Sequence, residues 1–91
     1  MQSTMQDRPL TVTAIFEHGR RVHGGSQVVT CEGERVRRAR FAAVAERTER
    51  LAAALRRLGV APRDRVGTFC WNTHEHLEAY MGAPVGGFVT H

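Results

Sequence analysis

From Arg65 onward the sequence runs strand, helix, strand, and this order constrains the fold more than any other feature. Arg65-Val66-Gly67-Thr68-Phe69-Cys70-Trp71 is mostly apolar, the type of strand buried on both faces of a parallel sheet. Asn72-Thr73 opens a helix, with Asn72 as N-cap and Glu75 three residues on to complete a capping box. His74, Leu77, Tyr80 and Met81 share a face, Pro84 ends the helix, and Pro84–Gly87 reads as a turn. Phe88 then begins a second strand. Two strands joined through a helix form a right-handed βαβ unit, so the fold class is α/β. The second strand holds only Phe88, Val89, Thr90 and His91, fewer than the roughly five or six residues of an average strand.

The best-defined element upstream is a helix over residues 41–58. Phe41, Val44, Ala45, Thr48, Leu51, Ala52, Leu55 and Leu58 form one apolar stripe, with Arg47, Arg50, Arg57, Glu46 and Glu49 mostly off it. Glu46 and Arg50 stand at i,i+4 with the acid first, the better order. Gly59 follows where a left-handed backbone is needed. Before this helix, Gln27–Cys31 and Arg35–Ala39 read as a hairpin turning through Glu32-Gly33-Glu34. The return strand alternates poorly and reads as a charged, exposed edge. Residues 11–23 place Val12, Ile15, Phe16 and Val22 at helical spacing, with Gly19 on the same face, Thr11 or Thr13 as cap and Gly24-Gly25 as terminator. Residues 1–9 are a loose lead-in.

Ninety-one residues suffice for one small domain. A chain this short buries only about 60–65% of its unfolded surface, so its stability margin is thin. There are thirteen basic residues, all Arg, against nine acids; residues 1–58 hold eleven Arg and six acids, and residues 59–91 hold two Arg and three acids. A basic half points to a phosphate-bearing partner, or to an Arg-favouring coding bias. Cys31 and Cys70 make no disulfide framework, and the start lacks a secretory pattern. No apolar run approaches the roughly 18–20 residues of a membrane span. A reducing cytoplasm is the expected location.

Three constellations raise chemical readings. Cys70, His74 and His76 contain metal-ligating types, but two His at i,i+2 on a helix point about 200° apart, and a zinc site wants three or four converging ligands. The same geometry weakens a Cys-His nucleophile, for which no orienting third group is evident. A core thiol and two helix-start imidazoles fit better. Gly24-Gly25 and Gly86-Gly87 lack phosphate-loop spacing and read as a helix stop and a turn. Arg35-Val36-Arg37-Arg38-Ala39-Arg40 is the best nucleic-acid signal, yet no stacking aromatics interleave with it. Phe69 and Trp71 could line the wall of an apolar tunnel, but at a strand end they read as core.

The stretch RTERLAAALRRLGVAPRDRVGTFCWNTHEHLEAYMGAPVGGFVTH resembles the early part of AMP-forming acyl-CoA ligases, most closely those acting on medium- and long-chain fatty acids. The helix ending LRRLGV, the turn PRDRV, the strand into WN, the HLEAY helix and the PxxG step occur there in this order. MQDRPLT, from Met5, resembles a start of such enzymes, which makes Met5 a candidate initiator. The resemblance covers nearly the whole chain from Met5. It implies that residues 10–91 are the incomplete N-terminal part of an AMP-dependent synthetase/ligase domain, with helix, hairpin, helix and a βαβ unit cut short at His91.

The resemblance also implies chemistry. In the family a carboxylate attacks the α-phosphate of ATP, and the acyl-AMP passes its acyl group to coenzyme A. Backbone N–H groups and a Lys must crowd the phosphates, and Mg²⁺ must offset their charge. The family places its phosphate loop, hinge and catalytic Lys downstream, and this chain has no Lys. No catalytic, cofactor-binding or metal residue is therefore carried over. ATP, Mg²⁺, CoA, a fatty acid and a homodimer partner are implied only for a full-length enzyme. The family often begins its 41–58 helix with a capping box; the matching positions here are Arg40, Phe41 and Ala43, a loss of roughly 0.5–2 kcal/mol. Two functional expectations follow. One is a ligase scaffold fragment that is inactive alone and prone to associate. The other is a freestanding basic module that binds nucleic acid through Arg35–Arg40.

Overall fold

The computed structural model describes residues 4–91; residues 1–3 of the lead-in lie outside the described residues. The elements are α1 (Val12–Val22), β1 (Gln27–Glu32), β2 (Arg35–Arg40), α2 (Phe41–Arg57), β3 (Arg65–Val66), α3 (His74–Val85) and β4 (Val89–Thr90). This mixture of helices and short strands is the expected α/β class.

Thr11 caps α1, its hydroxyl accepting from the Ala14 N–H at 3.1 Å. Of the apolar face expected there, only Phe16 is buried; Val12, Ile15 and Val22 are exposed. The reason is a narrow contact. Phe16 meets Phe41 edge to face at 6.1 Å, and a Cβ on Gly19 would stand 3.1 Å from the Phe41 ring.

β1 and β2 pair antiparallel from Gln27↔Arg40 to Glu32↔Arg35, with Gly33 at φ 62° supplying the left-handed turn. α2 then starts at once. Arg40 gives it no side-chain cap. Backbone carbonyls serve instead: Ser26 accepts from the Phe41 N–H at 2.7 Å, and Gly24 from the Ala42 N–H at 2.9 Å. Gly24 thus holds a capping carbonyl, and a side chain there would press on the Arg20 carbonyl at 2.9 Å.

Val44, Ala45, Thr48 and Ala52 of α2 are buried. Leu58, expected on the same stripe, is 81% exposed because it falls past the last turn, where Gly59 at φ 95° leads the chain away. α2 packs on α3 across small residues. A Cβ on Gly82 would meet Leu51 Cδ2 at 3.3 Å and the Thr48 carbonyl at 3.4 Å.

α3 departs from expectation in three ways. Its N-cap is Thr73, not Asn72: the Thr73 hydroxyl accepts from the His76 N–H at 3.4 Å, so Glu75 is not the capping-box partner. Its buried positions are His74, Glu78, Gly82 and Ala83; Leu77 and Met81 are half-buried and Tyr80 is 56% exposed. The helix also runs through Pro84 to Val85. Proline has no N–H for the Tyr80 carbonyl, and the Thr90 hydroxyl donates to that carbonyl at 3.4 Å instead. Gly87 at φ 88° then turns the chain into β4.

β3 and β4 are parallel, Arg65↔Val89 and Val66↔Thr90, as the strand–helix–strand order requires. The strand expected over 65–71 forms a ladder only at its start. Its last bond is Thr68 N–H to the His91 carbonyl at 3.0 Å. Phe69 and Trp71, expected as core, are 106% and 88% exposed, since none of the described residues covers their face.

Candidate functional site

A groove of about 760 Å³ lies between α1, β1 and α3, with Val12, Val28, Val29, Leu77, Tyr80 and Met81 among its walls. It exists because α3 turns small residues toward α2 and leaves its larger apolar ones on the opposite side. Of the residues read as sharing one face of this helix, Leu77, Tyr80 and Met81 thus line an open groove. Its apolar lining suits apolar contact rather than phosphate or metal.

The three residues weighed for metal or nucleophilic chemistry are turned to separate partners. His74 is buried. Its ring Nδ1 shares a hydrogen bond with Thr30 Oγ1, which also accepts from the His74 N–H at 3.1 Å. This pins the start of α3 to the middle of β1. His76 lies beside Thr68, Nε2 to Oγ1 at 3.2 Å, and packs edge to face on Tyr80 at 5.2 Å. Cys70 is exposed, its Sγ 3.9 Å from Thr73 Oγ1. The thiol expected in a core is thus at the surface, as is Cys31.

An ion-pair chain crosses the hairpin, α2 and α3. Arg37 reaches Glu32 at 3.0 Å and Glu75 at 2.9 Å; Arg47 reaches the buried Glu78 at 2.7 Å. The Arg37 hydrogen bond is the main cause that holds the Glu75 carboxyl down at about 2, and Glu75 in turn raises the Arg37 guanidinium. Glu78 likewise raises Arg47. Arg20 pairs with Glu17 at 2.6 Å and Glu49 at 3.1 Å, and Arg50 pairs with Glu46, the i,i+4 partner read from the spacing. Within the Arg35–Arg40 stretch, Arg37 is committed to two carboxylates, and Arg38 donates to Gln27 at 3.2 Å. The Arg37–Glu75 link was not legible from sequence: 38 residues separate the two, and packing between the hairpin and α3 brings them together.

The glycine pairs do not fit a phosphate. Gly24 offers its carbonyl to Ala42, and a Cβ on Gly86 would stand 2.5 Å from the Phe88 ring, so that glycine is filled by packing. Among the described residues no group of three His, Cys, Asp or Glu side chains is placed to hold a metal, and no helix is long and apolar enough to cross a membrane.

The family model for AMP-binding enzymes matches residues 16–91. Among curated proteins, the chain is 37% identical over its whole length to a 3-methylmercaptopropionyl-CoA ligase of Ruegeria lacuscaerulensis. It is 38% identical over its whole length to a medium-chain-fatty-acid–CoA ligase of Ectopseudomonas oleovorans. It is 41% identical, over 98% of its length, to a long-chain-fatty-acid–CoA ligase of Thermus thermophilus. In each case the chain spans 17% of the relative's length. The match over most of the chain, with identities of 37–41%, places it in the AMP-binding enzyme family, to which it belongs.

Proposed function

We propose that residues 10–91 are the N-terminal scaffold of a cytoplasmic fatty-acid–CoA ligase for medium- or long-chain acids. Such an enzyme adenylates the carboxylate with ATP·Mg²⁺, releasing pyrophosphate, and then transfers the acyl group to CoA with loss of AMP. The observation that carries this reading is the family match over residues 16–91 alongside relatives named as acyl-CoA ligases. The chain-length preference rests on the two relatives named for fatty acids. No step is assigned to this chain's residues: its glycine pairs lack phosphate-loop spacing, and Gly24 and Gly86 are engaged in capping and packing. Its contribution is the parallel β3–β4 pair, the helix between them and the packed helices behind.

The test is the native protein isolated from its own source. Intact mass and ATP-dependent pyrophosphate release are read together, with straight-chain acids of increasing length. Release that rises toward medium or long acids, from a species much heavier than 10.1 kDa, supports the reading. A 10.1 kDa species that releases no pyrophosphate, alone or with its co-purifying partners, overturns it.

A further inference from the structure

We propose that the stretch joining α2 to β3, residues 56–65, is an anchoring surface for a lipid bilayer that carries anionic headgroups. The proposal goes beyond the ligase reading and does not depend on it, since binding is read without turnover.

The arginines of this chain are unevenly used. Arg20, Arg37, Arg47 and Arg50 are taken up by six carboxylates. Arg56, Arg57, Arg63 and Arg65 fall within ten residues, are exposed, and form no ion pair among the described residues. Asp64 is the one acid in the stretch, and its carboxylate is turned inward, accepting from the Ala61 N–H at 2.9 Å. The chain folds back on the end of α2 here: the Gly59 and Val60 N–H groups donate to the Arg56 and Leu55 carbonyls at 3.0 and 3.1 Å. Arg63, Asp64 and Arg65 then line one open recess with Val60. The helix dipole accounts for Arg56 and Arg57 in the last turn of α2. It does not account for Arg63 and Arg65, which lie beyond the helix.

Arg63 is the second observation. It holds φ 71°, the one left-handed residue other than glycine among the described residues. Glycine takes this conformation freely, whereas a residue with a long side chain is strained in it. Its N–H is satisfied by the Gly87 carbonyl at 2.9 Å, a bond that glycine would make equally well. The strain therefore does nothing for the turn. It keeps a guanidinium at the surface, and backbone strain of this kind collects where a side chain has a task.

Leu58 decides the class of anion. It is 81% exposed, and it stands next to Arg57 at the start of the uncharged run Leu58–Pro62 that separates the two arginine pairs. A bilayer surface matches both features, with headgroup phosphates for the guanidinium forks and acyl chains for the leucine. A nucleic acid offers phosphates and bases, but the stretch has no aromatic residue on which a base would stack. A covering protein segment is a poorer occupant still. Four arginines without counter-charge are costly to bury, so this stretch stays at the surface whatever a longer chain covers elsewhere.

The test uses the native protein, purified whole, and its variants, in flotation with phosphatidylcholine vesicles that do or do not contain one-third phosphatidylglycerol. Binding is expected to the anionic vesicles only, weakening as salt rises from about 0.05 to 0.5 M. Arg57→Gln and Arg65→Gln should each weaken it about fivefold, the worth of one basic residue at such a surface. Arg63→Gly should weaken it as much while leaving the melting temperature unchanged or raised, because it relieves the left-handed strain. Leu58→Ser should weaken it without changing the salt slope. Arg21→Gln and Arg35→Gln, which remove the same charge from exposed arginines outside the stretch, should change it less than about twofold. Equal binding to neutral vesicles overturns the proposal, as do equal losses from Arg21→Gln and Arg57→Gln, or a Leu58→Ser protein that binds as before. A lowered melting temperature for Arg63→Gly overturns it too, because that arginine would then serve the fold. Capture of an RNA oligonucleotide in place of vesicles overturns the lipid partner. Pyrophosphate release separates the two readings. Vesicle binding by a protein that releases none sinks only the ligase reading, and a working ligase that ignores vesicles sinks only the anchoring surface.

Discussion

The three helices and the β3 corner are built from similar apolar residues, yet one region closes on itself and the other does not. In the helical body Phe16, Val44, Ala45, Ala52 and Ala83 are essentially without solvent contact, and Thr48 is buried among them. Just before α3, Phe69 and Trp71 stand in solvent. The difference is one of partners. The helical core is assembled from α1, α2 and α3, all within the chain, whereas a parallel sheet needs further strands and a second covering layer. The Cα radius of gyration, 15.1 Å against about 12 Å for a compact domain of this length, reflects that openness.

The largest expected effect lies in the closed region. Phe16→Ala removes a fully buried aromatic side chain and its ring contact with Phe41, and should cost about 3–5 kcal/mol, read as a lowered urea midpoint. A cost under about 1 kcal/mol would mean that α1 is not part of the core, and the contrast with the β3 corner would collapse. Next comes the hinge between the regions. Gly86→Ala drives a methyl to within 2.5 Å of the Phe88 ring, which should cost about 1–3 kcal/mol. Gly25→Ala, with no neighbour within 4 Å, is the matched control and should be close to neutral.

The pH dependence sharpens the comparison from the polar side. Glu75 is held at about 2 by Arg37, below the usual carboxylate range. A depressed carboxyl contributes stability that is present above its unfolded value, near 4.5, and lost as pH falls through about 2. The side chain is half exposed, so solvent screening keeps the effect small. Glu75→Gln should therefore lower stability slightly at neutral pH and flatten its loss between pH 4.5 and 2 by the same small amount, the two proteins converging at the acid end, as followed by circular dichroism during acid titration. An unchanged acid limb would show that the hairpin does not lean on α3 through this pair.

Local signals in the sequence were readable where local physics decides. The stripe of α2, its stop at Gly59, the Thr11 cap, the hairpin about Gly33 and the parallel sense of β3 and β4 all follow from spacing, turn chemistry and connection length. Expectations failed where a distant partner decides. Asn72 looked like the cap, but Thr73 is held by the His74–Thr30 contact that starts the helix one residue later. Pro84 looked like a stop, but a hydroxyl from β4 accommodates the freed carbonyl. The missing capping box of α2 is replaced by two carbonyls from the Gly24–Ser26 loop. Phe69 and Trp71 read as core from their place at the end of an apolar strand, and an apolar strand does not say whether a covering layer is present. Of the candidate site, the separation of His74 and His76 was legible from helix geometry; the groove and the Arg37–Glu75 link were not, because both arise from packing between elements far apart in sequence.

The smallest expected stability effect is at the open corner, and it tests the comparison most directly. Phe69→Asp and Trp71→Asp each remove a large apolar side chain that contacts little in the chain. Each should change the unfolding free energy by no more than about 0.5 kcal/mol, against several for Phe16→Ala. Their effect should fall on association. An exposed aromatic pair beside unpaired strand groups promotes contact between molecules, and a charge on the bare face opposes it. Sedimentation of the variants should show smaller species than the parent chain at equal concentration. If either change instead costs as much as Phe16→Ala, the corner is already packed within the chain. If association is unaffected, the molecules meet through the groove wall of Tyr80 and Met81 rather than through the β3 edge.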